Sequence, residues 1–154
     1  MQKAIRVGLF ALATGLLPAT GLAQSCNIAD RSVLLILDAS GSMNAKLPNG
    51  ETRIAVAQRA IKGVAGFIPA QAQLSLRMYG AQSAASQKNC EDTNLAVPFG
   101  PASTSGGAIT TTVDRVKAQG YTPIAYSLGQ AANDFPAGAK ERVIVLVSDG
   151  KETC

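Results

Sequence analysis

Two runs of apolar residues dominate the hydrophobic pattern of this chain. Val33–Leu37 and Val143–Val147 are each five consecutive apolar residues, composed of valine, leucine and isoleucine. Runs of this length and composition are typical of strands that are buried on both faces, as in parallel sheets covered by helices. The pattern therefore predicts two central strands of an α/β sheet.

A helical period and an alternating period follow the first run. From Thr52 onward apolar residues recur every three or four positions, which predicts an amphipathic helix that Pro69 ends. Gln73–Tyr79 alternates apolar and polar residues, which indicates a strand near the sheet edge. In the helix, the expected inward positions are Ile54, Ala57, Ile61, Val64 and Ile68, and the expected outward positions are Arg53, Gln58, Arg59 and Lys62.

A long polar segment separates these elements from two further predicted helices. Gly80–Ser105 shows little periodicity and is expected to be a long loop. Gly106–Gln119 is predicted to be a helix that ends at Gly120. Pro123 to about Asp134 is predicted to be the next helix, with Thr122 as its N-cap. The expected buried positions are Ile109, Val113 and Val116 in the first helix, and Ile124, Leu128, Ala131 and Phe135 in or just after the second.

This order of elements predicts the fold class. Strand, helix, strand, helix, helix and strand in succession indicate a doubly wound α/β fold, with a mostly parallel sheet flanked by helices. Ligands of such folds bind at the carboxyl ends of the strands.

Polar residues follow both buried strands. Asp38, Ser40 and Ser42 alternate on a tight turn directly after the first run, and Asp149 follows the second run. Carboxylate and hydroxyl oxygens are the ligands that a hard cation such as Mg²⁺ prefers, and Mg²⁺ usually keeps several waters. The spacing therefore predicts a cation site at this edge, although a turn capped by Asp38 is an alternative for the first stretch alone.

Together these pieces resemble the von Willebrand factor A (VWA) domain with a metal-ion-dependent adhesion site. That site combines D-x-S-x-S with a separate Thr and a separate Asp, and the matching residues here are Asp38, Ser40, Ser42, Thr122 and Asp149. The resemblance implies that the three hydroxyls contact the metal directly or nearly so, and that the two carboxylates act mainly through bound waters. It implies Mg²⁺ as the metal, with Mn²⁺ or Ca²⁺ as alternatives.

The resemblance also implies a function and a domain boundary. In VWA domains a Glu or Asp carboxylate of a partner protein fills an open coordination position on the metal. We therefore expect a protein-binding module of the bacterial secreted type, with an unidentified acidic partner. VWA domains continue with further elements after the last strand found here, so residues 32–154 are expected to be an incomplete VWA domain.

Two alternatives to metal-mediated binding stay open. One is an exported Mg²⁺-dependent phosphohydrolase in which Asp38 or Ser40 attacks a phosphoryl group, and the other is a structural domain without metal. An aspartyl phosphotransferase usually carries a second acid two residues after its nucleophile, where this chain has Ser40. The chain has no histidine, which removes the usual general base of serine hydrolases. We therefore expect a protein that is not an enzyme.

Composition supports one globular domain. The chain has 154 residues, of which 47% are hydrophobic and 16% charged, enough for a single core. The formal net charge of +4 includes Lys3 and Arg6, so the rest of the chain carries only +2. This charge gives no support to a nucleic-acid partner.

The first 23 residues have the pattern of an export signal. Lys3 and Arg6 precede an apolar stretch that Pro18 ends, and small residues before Gln24 suit signal peptidase. The apolar stretch is shorter than the about twenty residues of a membrane-spanning helix, so no stable span is expected after cleavage. The mature chain, with a short segment 24–31 before the domain, is expected in the periplasm or secreted. Acylation of Cys26 as a lipoprotein is the less favoured alternative, because Ala23-Gln24-Ser25 fits that motif poorly.

The three cysteines fit an exported protein. Cys26, Cys90 and Cys154 would meet an oxidising compartment, in which disulfides form and persist. We predict a Cys90–Cys154 disulfide that ties the long loop to the sheet edge near Asp149, the predicted binding rim. Cys26 is the competing partner. Three is an odd number, so one thiol is expected to be free, lipidated, in an intermolecular disulfide, or paired with a residue outside this sequence.

Overall fold

The computed structural model describes residues 30–154. The predicted signal peptide, most of segment 24–31 and Cys26 lie outside the described residues. Residues 30–154 form four strands and three α-helices, together with two short 3-10 turns. The strands are β1 (Arg31–Asp38), β2 (Gln73–Tyr79), β3 (Thr93–Pro101) and β4 (Glu141–Val147), and the helices are α1 (Arg53–Phe67), α2 (Ala102–Val113) and α3 (Ile124–Asp134).

The four strands form one mixed sheet in the order β3-β2-β1-β4. β1 pairs in parallel with both β2 and β4, and β3 pairs antiparallel with β2. The helices cover both faces, because Leu35 and Leu37 pack in the cluster that holds α1 and α2, and Leu34 and Ile36 pack in the cluster that holds α3. This arrangement confirms the predicted α/β fold and explains why the apolar run in β1 is unbroken.

Helix α1 follows the predicted amphipathic pattern closely. Its N-cap Thr52 accepts a hydrogen bond from the Ala55 backbone amide, and the helix ends two residues before Pro69. Ile54, Ala57, Ile61 and Ala65 are buried, while Val64 and Ile68 are partly buried against the same cluster. Gln58 was predicted to face solvent, and this was wrong, because its side-chain amide donates to the Val113 carbonyl at 2.9 Å.

The prediction that 73–79 lies near the sheet edge was wrong. β2 lies between β3 and β1, and six of its seven residues are buried. Its alternation has another cause, because the polar residues Ser75 and Arg77 are buried and both have partners. Ser75 donates to the Val97 carbonyl at 2.7 Å, and Arg77 forms an ion pair with Asp134 at 2.7 Å.

The prediction of one long loop over 80–105 was also wrong. Residues 93–101 form β3, the antiparallel edge strand, and α2 begins at Ala102. This strand was not predicted because it contains Pro98, Gly100 and Pro101, and proline and glycine are uncommon inside strands. An edge strand tolerates proline because one side of its backbone needs no partner, and the pairing with β2 is irregular at two points.

The two later helices differ in detail from their predicted bounds. α2 runs from Ala102 to Val113, so it starts and ends earlier than predicted and Gly120 does not end it. Thr122 does not cap α3 with its side chain, because the helix begins at Ile124 after Pro123 without a side-chain cap. Leu128 is 38% exposed, which contradicts its predicted burial, whereas Ala131 and Phe135 are buried as predicted.

Strand β4 lies at one edge of the sheet. Among the described residues it pairs only with β1. Its side chains Val143, Ile144 and Leu146 are each more than a third exposed, although they belong to an apolar run. The burial expected for this strand on both faces is therefore incomplete in residues 30–154.

Candidate functional site

The candidate site lies where β1 and β4 end. The two strands are parallel neighbours, so their carboxyl ends meet at the same edge of the sheet. β1 is followed by a 3-10 turn, Gly41–Asn44, and β4 is followed directly by Ser148 and Asp149. The topology therefore brings Asp38, Ser40, Ser42 and Asp149 to one rim, as the sequence pattern predicted.

Asp38 is the buried anchor of this rim. Its side chain is fully buried, and each carboxylate oxygen accepts one hydrogen bond. The Ser40 backbone amide donates to Oδ1 at 2.8 Å, and the Ser148 hydroxyl donates to Oδ2 at 2.7 Å. These two bonds fix the turn after β1 to the end of β4 and satisfy a carboxylate that burial would otherwise penalise. Ser148 directly follows the apolar run 143–147, but nothing in the sequence pattern indicated this role.

A chain of side-chain oxygens begins at Ser40, the residue whose backbone amide binds Asp38. The Ser40 and Ser42 hydroxyl oxygens lie 3.1 Å apart, and the Ser42 hydroxyl donates to Oδ1 of Asp149 at 3.0 Å. Ser40 is buried, whereas Ser42 is exposed. The oxygens therefore lead from the interior of the fold to its surface.

The outer end of this chain carries a positive charge. Arg53, the first residue of α1, donates from Nη1 to Oδ2 of Asp149 at 2.6 Å. The Asp149 side chain is only 11% exposed, whereas that of Arg53 is 43% exposed. Sequence reasoning expected Arg53 to face away from the sheet and did not connect it with the rim, because 96 residues separate the pair.

Thr122 is buried beside the rim but does not join the hydrogen-bonded chain. Its backbone amide donates to the Thr153 hydroxyl at 2.9 Å, and its carbonyl accepts from the Thr153 amide at 3.3 Å. Its own hydroxyl makes no hydrogen bond to any residue from 30 to 154. The hydroxyl is therefore available to a ligand without the loss of an internal bond.

A close crossing of two glycines brings the Thr122 segment to the rim. The Gly120 amide donates to the Gly80 carbonyl at 2.8 Å, and the Gly41 amide donates to the Gly120 carbonyl at 2.9 Å. A Cβ atom on Gly80 would lie 2.6 Å from the Tyr121 carbonyl oxygen and 2.8 Å from the Ser40 amide nitrogen. Only glycine permits this approach, so the ends of β1 and β2 and the segment before α3 are held together at van der Waals distance.

The segment after β4 folds back along the start of α3. Oε2 of Glu152 accepts a hydrogen bond from the Ala125 amide at 2.9 Å, so it supplies the helix with an acceptor that Thr122 does not provide. Cys154 forms a disulfide with Cys90, with Cα atoms 5.6 Å apart. The disulfide ties the segment 80–92 to the rim in the way the sequence predicted.

Tyr79 lies beneath the rim at the end of β2. Its side chain is fully buried, and its hydroxyl has no hydrogen-bond partner of good geometry among residues 30–154, although Ser148 and Asp38 lie close. Burial raises the pKa of the Tyr79 hydroxyl far above its usual range, while Ser148 acts in the opposite direction. The phenol is therefore neutral at physiological pH, and it adds no charge beside Asp38.

The oxygen donors at the rim fit a small divalent cation. Octahedral Mg²⁺ with bonds of about 2.1 Å has neighbouring ligands about 3.0 Å apart. The contacts from Ser40 to Ser42 and from Ser42 to Asp149, at 3.1 and 3.0 Å, match this spacing, which is also close to that of ordinary hydrogen bonds. In residues 30–154 no three acidic or cysteine side chains cluster in a way that would hold a metal, so hydroxyls must complete any such site.

The fold and the rim define an α/β domain with hydroxyl and carboxylate donors at the carboxyl edge of its sheet. Residues 33–152 match the von Willebrand factor type A domain family. The chain therefore belongs to this family. Uncharacterized protein YwmD of Bacillus subtilis (strain 168) is 29% identical over 158 residues, which cover 100% of this chain and 70% of YwmD.

Solved structures show the same fold at low sequence identity. An aerotolerance-related membrane protein from Bacteroides fragilis aligns with a TM-score of 0.61 and 20% identity, over 79% of this chain and 55% of that one. The pilus adhesin SpaC from Lactobacillus rhamnosus GG aligns with a TM-score of 0.62 and 20% identity, over 80% of this chain and 16% of the adhesin. The chain thus spans about half or less of these solved chains, and the likeness concerns the fold alone.

None of the helices between residues 30 and 154 has the length and apolar character needed to cross a bilayer.

Proposed function

We propose that this chain is an exported binding module that captures an acidic residue of a partner protein through a divalent cation. The cation, Mg²⁺ with Mn²⁺ or Ca²⁺ as alternatives, would be held by Asp38, Ser40, Ser42, Thr122 and Asp149. The observation that carries the proposal is the set of side-chain oxygens in contact from Ser40 through Ser42 to Asp149, beside the buried carboxylate of Asp38, which the Ser40 backbone amide holds. A bound divalent cation would supply an open coordination position for the carboxylate of a partner.

The residues of the rim have different roles in the proposed binding of the cation. Asp38, held by Ser40 and Ser148, fixes the turn and contributes negative charge from below. Ser42 lies at the surface end of the series, where a ligand from solvent can reach it, and Asp149, whose side chain is 11% exposed, accepts its hydrogen bond. The Thr122 hydroxyl, which has no internal partner among the described residues, completes the set of neutral donors.

Burial supports binding in preference to phosphoryl transfer. A nucleophile must reach the phosphorus atom of its substrate. Asp38 is fully buried with both oxygens in hydrogen bonds, and Ser40 is 1% exposed. Since the sequence also has no histidine to act as a base, neither candidate nucleophile is placed for attack.

Three observations support export to the periplasm or the medium. The first 23 residues have the composition of a signal peptide. The Cys90–Cys154 disulfide suits an oxidising compartment. The solved neighbours include a membrane protein and a pilus adhesin. Sequencing of the amino terminus of the protein recovered from the producing cell tests this part, with Gln24 as the expected first residue.

Calorimetric titration of Mg²⁺ and Mn²⁺ into the oxidised full chain tests the metal site. Ser42→Ala removes an exposed donor of the rim, and Ser103→Ala removes an exposed hydroxyl on α2, outside the rim. We expect the wild type and Ser103→Ala to bind equally, and Ser42→Ala to bind at least about tenfold more weakly. Absence of binding by a wild-type chain that circular dichroism shows to be folded would refute the proposal.

A further inference from the structure

The contact between Arg53 and Asp149 lies at the same rim and affects the binding of a cation there. Oδ1 of Asp149 accepts from Ser42, and Oδ2 accepts from Arg53 at 2.6 Å. Both oxygens of this carboxylate therefore already have partners. One of those partners is a guanidinium, which carries a permanent positive charge.

The position of Arg53 in α1 makes its charge unfavourable without Asp149. It is the first residue of the helix, directly after the N-cap Thr52. The amino end of a helix carries a partial positive charge, so an acidic residue is favoured in the first turn and a basic residue is not. The first turn of α1 contains no acidic residue, and Asp149, from the far end of the chain, supplies the negative charge instead.

By contrast, the carboxylate of Asp38 has only neutral hydrogen-bond partners among residues 30–154, the Ser40 amide and the Ser148 hydroxyl. A cation bound beside Ser40 and Ser42 would thus face one carboxylate whose charge is not neutralised and one that shares its charge with a guanidinium. A cation held by Asp149 would be repelled by the guanidinium that already pairs with this carboxylate.

We propose that Arg53 is an internal counter-ion that competes with the divalent cation for Asp149 and thereby sets the metal affinity of the rim. This inference rests on the proposed metal site. Arg53 holds Asp149 in place while the rim has no cation, and it lowers the affinity of the rim for one. Because the Arg53 side chain is 43% exposed, solvent screens the repulsion, and we expect a coupling of about tenfold in affinity.

Arg53→Gln is the test variant, and Arg59→Gln is its matched control. Arg59 lies on the same helix and pairs with Glu51 instead of Asp149, so its replacement removes the same charge from a different partner. Titration of Mn²⁺ into each oxidised full chain gives the dissociation constants directly. We expect Arg53→Gln to bind about tenfold more tightly than wild type, with Arg59→Gln and Arg53→Lys close to wild type.

The outcomes separate this inference from the proposed function. If wild type binds Mn²⁺ and Arg53→Gln binds equally or more weakly, Arg53 does not compete with the metal, and the inference is overturned while the metal site stands. If no variant binds, the proposed function fails and the inference fails with it.

Thermal stability is a second readout, and it can be measured both without the metal and with it. In the presence of EDTA, loss of the Arg53–Asp149 pair is expected to lower the thermal stability of Arg53→Gln below that of Arg59→Gln. Addition of Mn²⁺ is expected to raise the melting temperature of Arg53→Gln more than that of the control, since tighter binding stabilises the folded state more. An equal rise in both variants would count against the competition.

Discussion

Replacement of Gly120 by alanine tests whether the rim depends on close backbone contact. A Cβ atom at this position would lie 2.7 Å from the Ser83 carbonyl oxygen, 2.8 Å from the Gly80 Cα atom and 2.9 Å from Oδ2 of Asp92. Two of these three atoms belong to the backbone, so they cannot move aside as a flexible side chain could. Overpacking of this kind typically costs about 1–3 kcal/mol, and we expect Gly120→Ala to lose that much stability.

The contact with Oδ2 of Asp92 makes the expected loss of stability larger than a steric clash alone would. Asp92 is buried, and its carboxylate accepts hydrogen bonds from the backbone amides of Gln82 and Ser83. A methyl group that displaces this carboxylate would weaken the bonds that hold the segment after β2. We therefore expect a value near the upper end of the range.

Gly107→Ala provides the matched control for this experiment. Gly107 lies in α2, where nothing is within 4 Å of an added Cβ atom. Alanine in a helix interior is more favourable than glycine by about 0.5–1 kcal/mol, so this variant is expected to gain stability. The same chemical change thus has opposite signs at the two positions.

Urea denaturation of the oxidised chains, followed by circular dichroism, measures both effects. We also expect Gly120→Ala to bind Mn²⁺ more weakly, because Thr122 follows the crossing by two residues. A Gly120→Ala variant as stable as wild type would refute the steric argument, and it would show that the two segments can separate without cost.

Two further predictions concern the connections around the rim. Cys90→Ser together with Cys154→Ser opens a loop with a sequence separation of 64, and it is expected to cost about 2–4 kcal/mol in urea denaturation. Unchanged stability after reduction of the wild type would contradict this. Arg77→Ala is expected to cost about 3–5 kcal/mol, because it leaves the Asp134 carboxylate, only 10% exposed, without its charged partner. A smaller loss than in a Lys62→Ala control, whose partner Asp114 is 53% exposed, would contradict this reasoning.

The strands that the sequence predicted well are those with a continuous run of apolar residues. The hydrophobic pattern predicts β1 and β4 because residues 33–37 and 143–147 are all apolar. β3 was missed because Pro98 and Pro101 interrupt it, and its position at the sheet edge, which makes proline tolerable, is not visible in the sequence. The edge position assigned to β2 failed for a related reason: buried polar residues with partners produce the same alternation as exposed ones.

In the candidate site, too, the local features were predictable and the contacts between distant residues were not. Asp38, Ser40 and Ser42 are within five positions of one another, so a local turn is enough to bring them together. The partners that hold them come from elsewhere in the chain. Ser148 lies 110 residues from Asp38, and Arg53 lies 96 residues from Asp149.

The sequence by itself determined the class of fold and the kind of donors at the rim, because hydrophobic period and turn composition are local properties of the chain. Only the tertiary structure decided that Arg53 pairs with Asp149, that Ser148 holds Asp38, and that Glu152 serves the start of α3. These contacts depend on which strands become neighbours. That choice is made by the packing of the whole core, in which every element contributes buried surface and no single segment carries the information.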